Sequence, residues 1–250
     1  MSGFNDVRQT TAPVSRALFA WSLKEDLNIE ASTGNLVARS GQRGTWSRGG
    51  AASSAGIVAN NGTYTAPASL PSFEARTIDG VEQTTLHLGA SDYVFWPVGW
   101  LPQTLTGRIT FVELGARTAV NSTLFAISAN DPTAGVRLYV DTSGTFYRIT
   151  YHNGTTSVTA TLTAGQPTSG QNVALWWSWS AAGLTLKQSI NGGAATTATS
   201  GALALPSAWS AGTMLRLNRR GLTQNAAIGS YASALVAPGT VSDADIVEFW

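Results

Sequence analysis

Between residues 173 and 193 the chain reads VALWWSWSAAGLTLKQSINGG, and this stretch restricts the fold more than any other. Successive side chains of a strand point to opposite faces. Val173, Leu175, Trp177 and Trp179 therefore share one face, and Ala174, Trp176, Ser178 and Ser180 share the other. The first set is unbroken and apolar, as a core-facing strand must be. A turn at Ala181–Gly183 follows, after which Leu184, Leu186 and Ile190 resume the alternation. Two inward indoles on one strand need an apolar layer opposite them, so two stacked sheets are predicted. Trp176 falls on the other face among small residues, where a second sheet or a partner must cover it.

Further strands are predicted where the same period recurs. Phe19, Trp21 and Leu23 alternate, as do residues 109–112, and TLFAIS (123–128) is a compact apolar run. VRLYVD (136–141) and TFYRITY (145–151) flank Thr142–Gly144, and HNG (152–154) turns into TTSVTATL (155–162), so two hairpins in succession form a meander. MLRLNR (214–219) and AAIGSYASALV (226–236) read as two more strands. One helix is predicted, at the C-terminus: Ser242 as N-cap with Asp245 three residues on forms a capping box before DIVEFW. Residues 1–17 carry Pro13 and no periodicity and read as an extended arm. Residues 18–105 read as a loop-rich lead segment that contributes strands, with 106–250 as the main sandwich.

Composition narrows the function classes. Charged residues make up 12% of the 250, against about 25% in an average domain. The formal net charge of +1 lacks the basic stripe that nucleic-acid binding needs. Lys24 and Lys187 are the only lysines among fifteen basic residues, the rest being arginines suited to packed, bidentate contacts. There is no cysteine, which excludes disulfides and thiolate chemistry. No stretch reaches the roughly 20 apolar residues of a membrane helix, and the N-terminus shows no signal-peptide core. Synthesis in a host cytoplasm without export, and no membrane or cofactor partner, are the expectations.

The order WWSWS, GLTLKQSINGG, MLRLNR, AAIGSYASALV and finally VSDADIVEFW resembles the second half of concanavalin A-like, laminin-G-like jelly rolls. The resemblance covers residues 106–250. Residues 44–89, with Arg48, Gly62, Pro71, Phe73, Gly80 and Leu86 at matching places, resemble a segment of tailed-bacteriophage virion proteins that precedes such a domain. Ser72 stands where that pattern has arginine. The resemblance implies an all-β antiparallel sandwich in a phage structural protein, on the capsid surface or the tail.

Catalytic machinery is hard to find. DADIVE (243–248) reproduces, with one shorter carboxylate, the E-x-D-x-x-E spacing of laminarinase-type glucanases on this fold. Here the run follows a helix N-cap, where acids favour the helix dipole, and that reading is preferred. His87 and His152 have no paired acid in sequence, and no G-x-S-x-G, P-loop or EF-hand spacing occurs. Asp131 and Asp141 fall in predicted loops, where calcium ligation and turn formation are both open. No catalytic residue, metal or cofactor is assigned.

Surface candidates remain. YVFWPVGWLP (93–102) gathers Phe95, Trp96 and Trp100, either as a plug over one end of the sandwich or as an anchor for a neighbouring subunit. Arg216, Arg219 and Arg220 lie at a strand exit, either solvated or paired with acids of another chain. Tyr147 and Tyr151, on one strand face, and Trp176 are candidates for stacking on sugar rings. The function expected first is a non-enzymatic virion protein, a capsid decoration or tail component joined to major capsid or tail subunits and to its own copies. The alternative is a tail module that binds host glycan; a glycan hydrolase ranks below both.

Overall fold

The computed structural model describes residues 74–78, 80–88, 104–115, 122–129, 135–205, 208–210, 212–218, 220 and most of 229–239, together with the backbone of the strands at 19–22, 27–29, 35–38, 46–47, 55–58 and 93–97 and of residue 73. The first strands are β1 (Phe19–Ser22), β2 (Leu27–Ile29), β3 (Asn35–Ala38), β4 (Trp46–Ser47) and β5 (Ala55–Val58). They are followed by β6 (Phe73–Ile78), β7 (Val81–Leu88), β8 (Tyr93–Pro97), β9 (Leu105–Glu113) and β10 (Thr123–Ser128). The meander is β11 (Val136–Ser143), β12 (Phe146–Asn153) and β13 (Ser157–Thr161). The tryptophan hairpin is β14 (Asn172–Ser180) with β15 (Gly183–Ile190), and β16 (Thr196–Thr199), β17 (Met214–Leu217) and β18 (Gly229–Pro238) complete the set. The described residues contain no helix, and the capping box at Ser242 lies outside them, as does the segment 1–17.

The strands form two antiparallel sheets. Sheet A runs β16-β15-β14-β9-β18-β1-β4, with β7 and β6 attached along the first part of β18; sheet B runs β13-β12-β11-β10-β17-β8-β5-β3-β2. The protein is an all-β sandwich, and β1 to β8 lie in the same two sheets as the later strands. Local turn chemistry sets the hairpins. Ile78 pairs with Val81 across a tight turn in which Gly80 takes φ +80°, a conformation that favours glycine. The side-chain oxygen of Asn153 accepts from the backbone N–H groups of Thr155 and Thr156 at 3.0 and 2.9 Å, closing the turn between β12 and β13.

The inward indoles are where alternation requires them. Trp177 and Trp179 are buried on the inner face of β14, with Val173 and Leu175 beside them. Sheet B answers with rings of its own. Tyr151 lies 4.3 Å from Trp179 and Phe125 4.7 Å from Trp177, centroid to centroid, the latter within the range where aromatic pairs gain beyond simple burial. Gly107 is the cross-strand neighbour of Trp177, and a Cβ there would collide with the indole ring. The missing side chain on β9 thus makes room for the largest one on β14. At one end Trp209, from the segment between β16 and β17, meets Trp179 edge-on at 5.3 Å.

Two polar contacts close the core elsewhere. The Tyr147 hydroxyl of sheet B donates to the Glu113 carboxylate of sheet A, which also accepts from the Gly115 N–H at 2.8 Å. The Tyr231 hydroxyl donates across the sandwich to Asn218 at 2.9 Å. Burial holds the Tyr231 phenol well above its ordinary pKa, and the nearby Glu113 charge adds to the effect.

Candidate functional site

On sheet B, two of the arginines singled out in the sequence, Arg216 and Arg220, are turned onto the protein itself. Arg216 is buried, its guanidinium donating to the Ser128 carbonyl at 2.8 Å and to the Ser128 hydroxyl at 3.1 Å. It is not an exposed partner contact: β17 is paired with β10 on one side and β8 on the other, and the guanidinium is engaged by Ser128 at the end of β10. Arg220 stacks its guanidinium 3.9 Å above the Tyr139 ring and so occupies that aromatic face. Asp141 lies in β11, not in a loop, and is buried. It accepts from Arg148 Nε at 2.7 Å and Nη2 at 3.2 Å, a bidentate pair that engages both carboxylate oxygens. Burial raises the Asp141 pKa despite Arg148, while the hydrogen bond that Arg148 donates to Asp141 raises that of Arg148. The two directions reflect one pair whose attraction is set against the cost of drying the carboxylate.

Tyr147 and Tyr151 offer no stacking face for a sugar. Both are fully buried, because their strand face is the one that meets sheet A. Burial pushes the Tyr151 phenol far above its ordinary pKa. Phe95 and Trp96 belong to β8, whose backbone is paired with β17 on one side and β5 on the other. The side chains of Phe95 and Trp96, with Trp100, Arg219 and Asp131, lie outside the described residues, as do Asp243, Asp245 and Glu248.

Trp176 is different. It is half-buried on the outer face of sheet A, with Leu175 and Trp177 both turned inward beside it. In register it stands between Lys187 of β15 and Arg108 of β9, and Lys187 in turn faces Thr197 of β16. The Arg108 guanidinium sits 4.9 Å from the ring centroid and is itself buried at 2% exposure, so it braces the indole from within the protein. The indole Nε1 is covered and makes no hydrogen bond, so the ring shows hydrocarbon to solvent. A parallel row of hydroxyls, Thr199, Thr185 and Ser178, runs across the same three strands. A flat aromatic ring among small hydroxyl side chains can stack on a ring with an apolar face and hydrogen-bond its substituents.

One further polar cluster escaped the sequence reading. Glu74 of β6 accepts from Arg76 Nε at 2.9 Å and from the Ser230 hydroxyl at 3.2 Å, and His87 Nδ1 lies 3.7 Å from its other oxygen. His87 does have an acid beside it, brought there by the β6–β7 hairpin; only the turn at Gly80 signalled that pairing. Burial works to raise the Glu74 pKa, but Arg76, His87 and Ser230 together lower it. Ser230 is completely buried, so this Ser–His–Glu grouping has no accessible nucleophile. His152, on β12, has its pKa lowered by burial and by Arg137.

With this geometry in hand, known proteins supply a fold comparison. No protein-family model and no curated protein matches the sequence. The fold is similar to the enzymatically active domain of tailspike protein 2 from bacteriophage CBA120, at 16% identity and a TM-score of 0.51 over 69% of this chain. This chain spans 28% of that tailspike chain. It is also similar to domain 4 of AbnA, a GH43 extracellular arabinanase from Geobacillus stearothermophilus, in complex with arabinotriose (12% identity, TM-score 0.56, 93% of this chain and 97% of that one). The binding domain of botulinum neurotoxin DC in complex with SialylT is similar at 10% identity and a TM-score of 0.53, over 92% of this chain and 50% of that one. At such identities the likeness is one of fold: a β-sandwich used in a phage tailspike, a glycosidase domain and a toxin binding domain.

Proposed function

We propose that this chain is a non-catalytic adhesion module of a phage tail that binds host glycan on the outer face of sheet A. The observation that carries the reading is Trp176, half-buried on the outer face of sheet A, braced by Arg108 and set among Ser178, Thr185 and Lys187. The similarity of fold to a phage tailspike domain and to a sandwich domain in complex with arabinotriose supports it. Three described carboxylates are engaged in holding the fold, Glu113 by Tyr147, Asp141 by Arg148 and Glu74 by Arg76, which favours binding over cleavage. Arg216, one candidate for a contact with other virion proteins, is buried and does not offer that contact. In the virion, repeated copies of one weak site would add avidity.

A glycan array probed with the wild-type chain and with W176A tests this. Binding by the wild type and its loss in W176A, with unchanged thermal unfolding, is the expected result. A wild type that binds no glycan, or a W176A variant that binds as well, would sink the reading. Release of reducing ends from a bound polysaccharide would overturn its non-catalytic part.

A further inference from the structure

We infer that β13 is an interface: two copies of this chain pair antiparallel along it, about a two-fold axis at Thr159, and join their B sheets. The pairing does not depend on any ligand. Among the described residues β13 ends sheet B and pairs with β12 alone. Two bonds bracket the ladder between them, Asn153 N–H to the Thr156 carbonyl and Leu162 N–H to the Tyr147 carbonyl, each 3.0 Å. Antiparallel bonding alternates along a strand, so Val158 and Ala160 are the residues that bond to β12 in between. The N–H and C=O groups of Ser157, Thr159 and Thr161 therefore point away from the sheet, and all three residues are exposed. Val158 packs on the core from the same strand but is only half-buried, which leaves the apolar layer open at this margin.

Other edges carry the devices that keep sheets apart, and β13 does not. β2 and β4 are three and two residues long, and β6 bears Glu74 and Arg76. β13 has five residues, SVTAT, with neither charge nor proline. Between Arg148 and Arg216 the sequence holds one lysine, Lys187, and no arginine, aspartate or glutamate. This neutrality suits a second copy above all, because a two-fold pairing sets the strand against its own sequence reversed. Any charge near the axis would meet its like. Here Thr159 meets Thr159, Ser157 meets Thr161 and Val158 meets Ala160, which covers the open side of the valine. Cross-strand hydroxyl pairs stabilise antiparallel strands. On β12, Arg148 beside Thr161 is engaged by Asp141, and burial and Arg137 hold His152 beside Ser157 towards its neutral form. The neighbouring edge of sheet A, β16, is also uncharged, but the bond from Ser200 N–H to the Leu184 carbonyl leaves only Thr197 and Thr199 to bond outward. The two-fold axis of an antiparallel pair stands perpendicular to its sheet. Both outer faces of sheet A, each with its Trp176, would then turn the same way.

Sedimentation of the full chain over a concentration series reaching about 1 mM tests the pairing. A reversible monomer–dimer equilibrium is expected. T159K sets two ammonium groups against each other at the axis and should raise the dissociation constant at least about tenfold. T197P, which removes an outward N–H from β16, should leave it unchanged. Thermal unfolding of T159K checks that its fold is intact, since the Thr159 hydroxyl also shares a hydrogen bond with that of Thr150 at 3.0 Å. Hydrogen exchange on the wild type needs no variant: the amides of Ser157, Thr159 and Thr161 should exchange fast in dilute solution and slowly in concentrated solution. A chain that stays monomeric throughout, or a T159K variant that dimerises as readily as the parent, overturns the inference. So does a dimer lost in T197P and kept in T159K, or exchange at the three amides that ignores concentration.

Discussion

Tyr147 of one sheet donates its hydroxyl to the carboxylate of Glu113 on the other, a hydrogen bond made inside the sandwich where both residues are buried. Bonds to a buried charge are among the stronger ones, contributing about 1.5–3 kcal/mol, and losing one partner leaves the other stranded. Y147F is therefore expected to lower unfolding stability by that amount. Equilibrium urea unfolding measures it, and an unchanged midpoint would show that the bond adds nothing.

A second prediction concerns space. The Trp177 ring lies over Gly107, and an added Cβ has no room. G107A should destabilise by about 1–3 kcal/mol through overpacking. In the G107A background, W177L relieves the clash and should recover part of the loss relative to G107A alone. Chemical unfolding of the two variants decides; a G107A protein as stable as the parent would mean that the sheets separate at no cost.

The Asp141–Arg148 pair yields a pH dependence. Burial already lifts the Asp141 pKa above its ordinary value, and in R148M only the more distant Arg220 opposes it. A carboxyl whose pKa is higher folded than unfolded weakens the fold once pH exceeds the folded value, and costs nothing below the unfolded one. R148M should thus be less stable than the parent at neutral pH, by about 3 kcal/mol. The deficit should narrow as pH falls through the raised value towards the ordinary aspartate range. Unfolding at several pH values checks this, and a deficit that grew in acid would reverse the sign.

Neighbouring indoles should behave oppositely. W177A empties a core position and is expected to cost about 3–5 kcal/mol. W176A removes a half-exposed ring and should cost under about 1 kcal/mol. Thermal unfolding of the two variants side by side reads the difference.

The contrast between these indoles was legible from alternation alone, since one residue of register separates inside from outside. So were the meander through residues 136–161 and its turns, because the signals are local. What the residues did not reveal were contacts between distant strands. Arg108 reaches Trp176 only because β9 lies beside β14, and His87 meets Glu74 only through the hairpin at Gly80. Tyr147 and Tyr151 share one strand face, a pattern that fits a sugar-stacking patch and core packing alike. Their rings bury all the same, one hydroxyl satisfied by Glu113 and the other without a hydrogen bond. Arg216 misled for the same reason: a charged group can be buried when carbonyl oxygens receive its donors.

Strand β9 is flanked by β14 and β18, and β18 is also the strand that receives β1. During translation, the centre of sheet A therefore keeps one bare edge until the residues of β18 have left the ribosome. Nascent chains would meanwhile expose that edge, an invitation to pair with one another. Closure of sheet A thus waits on one strand far along the chain, a non-local pairing of the kind that slows folding.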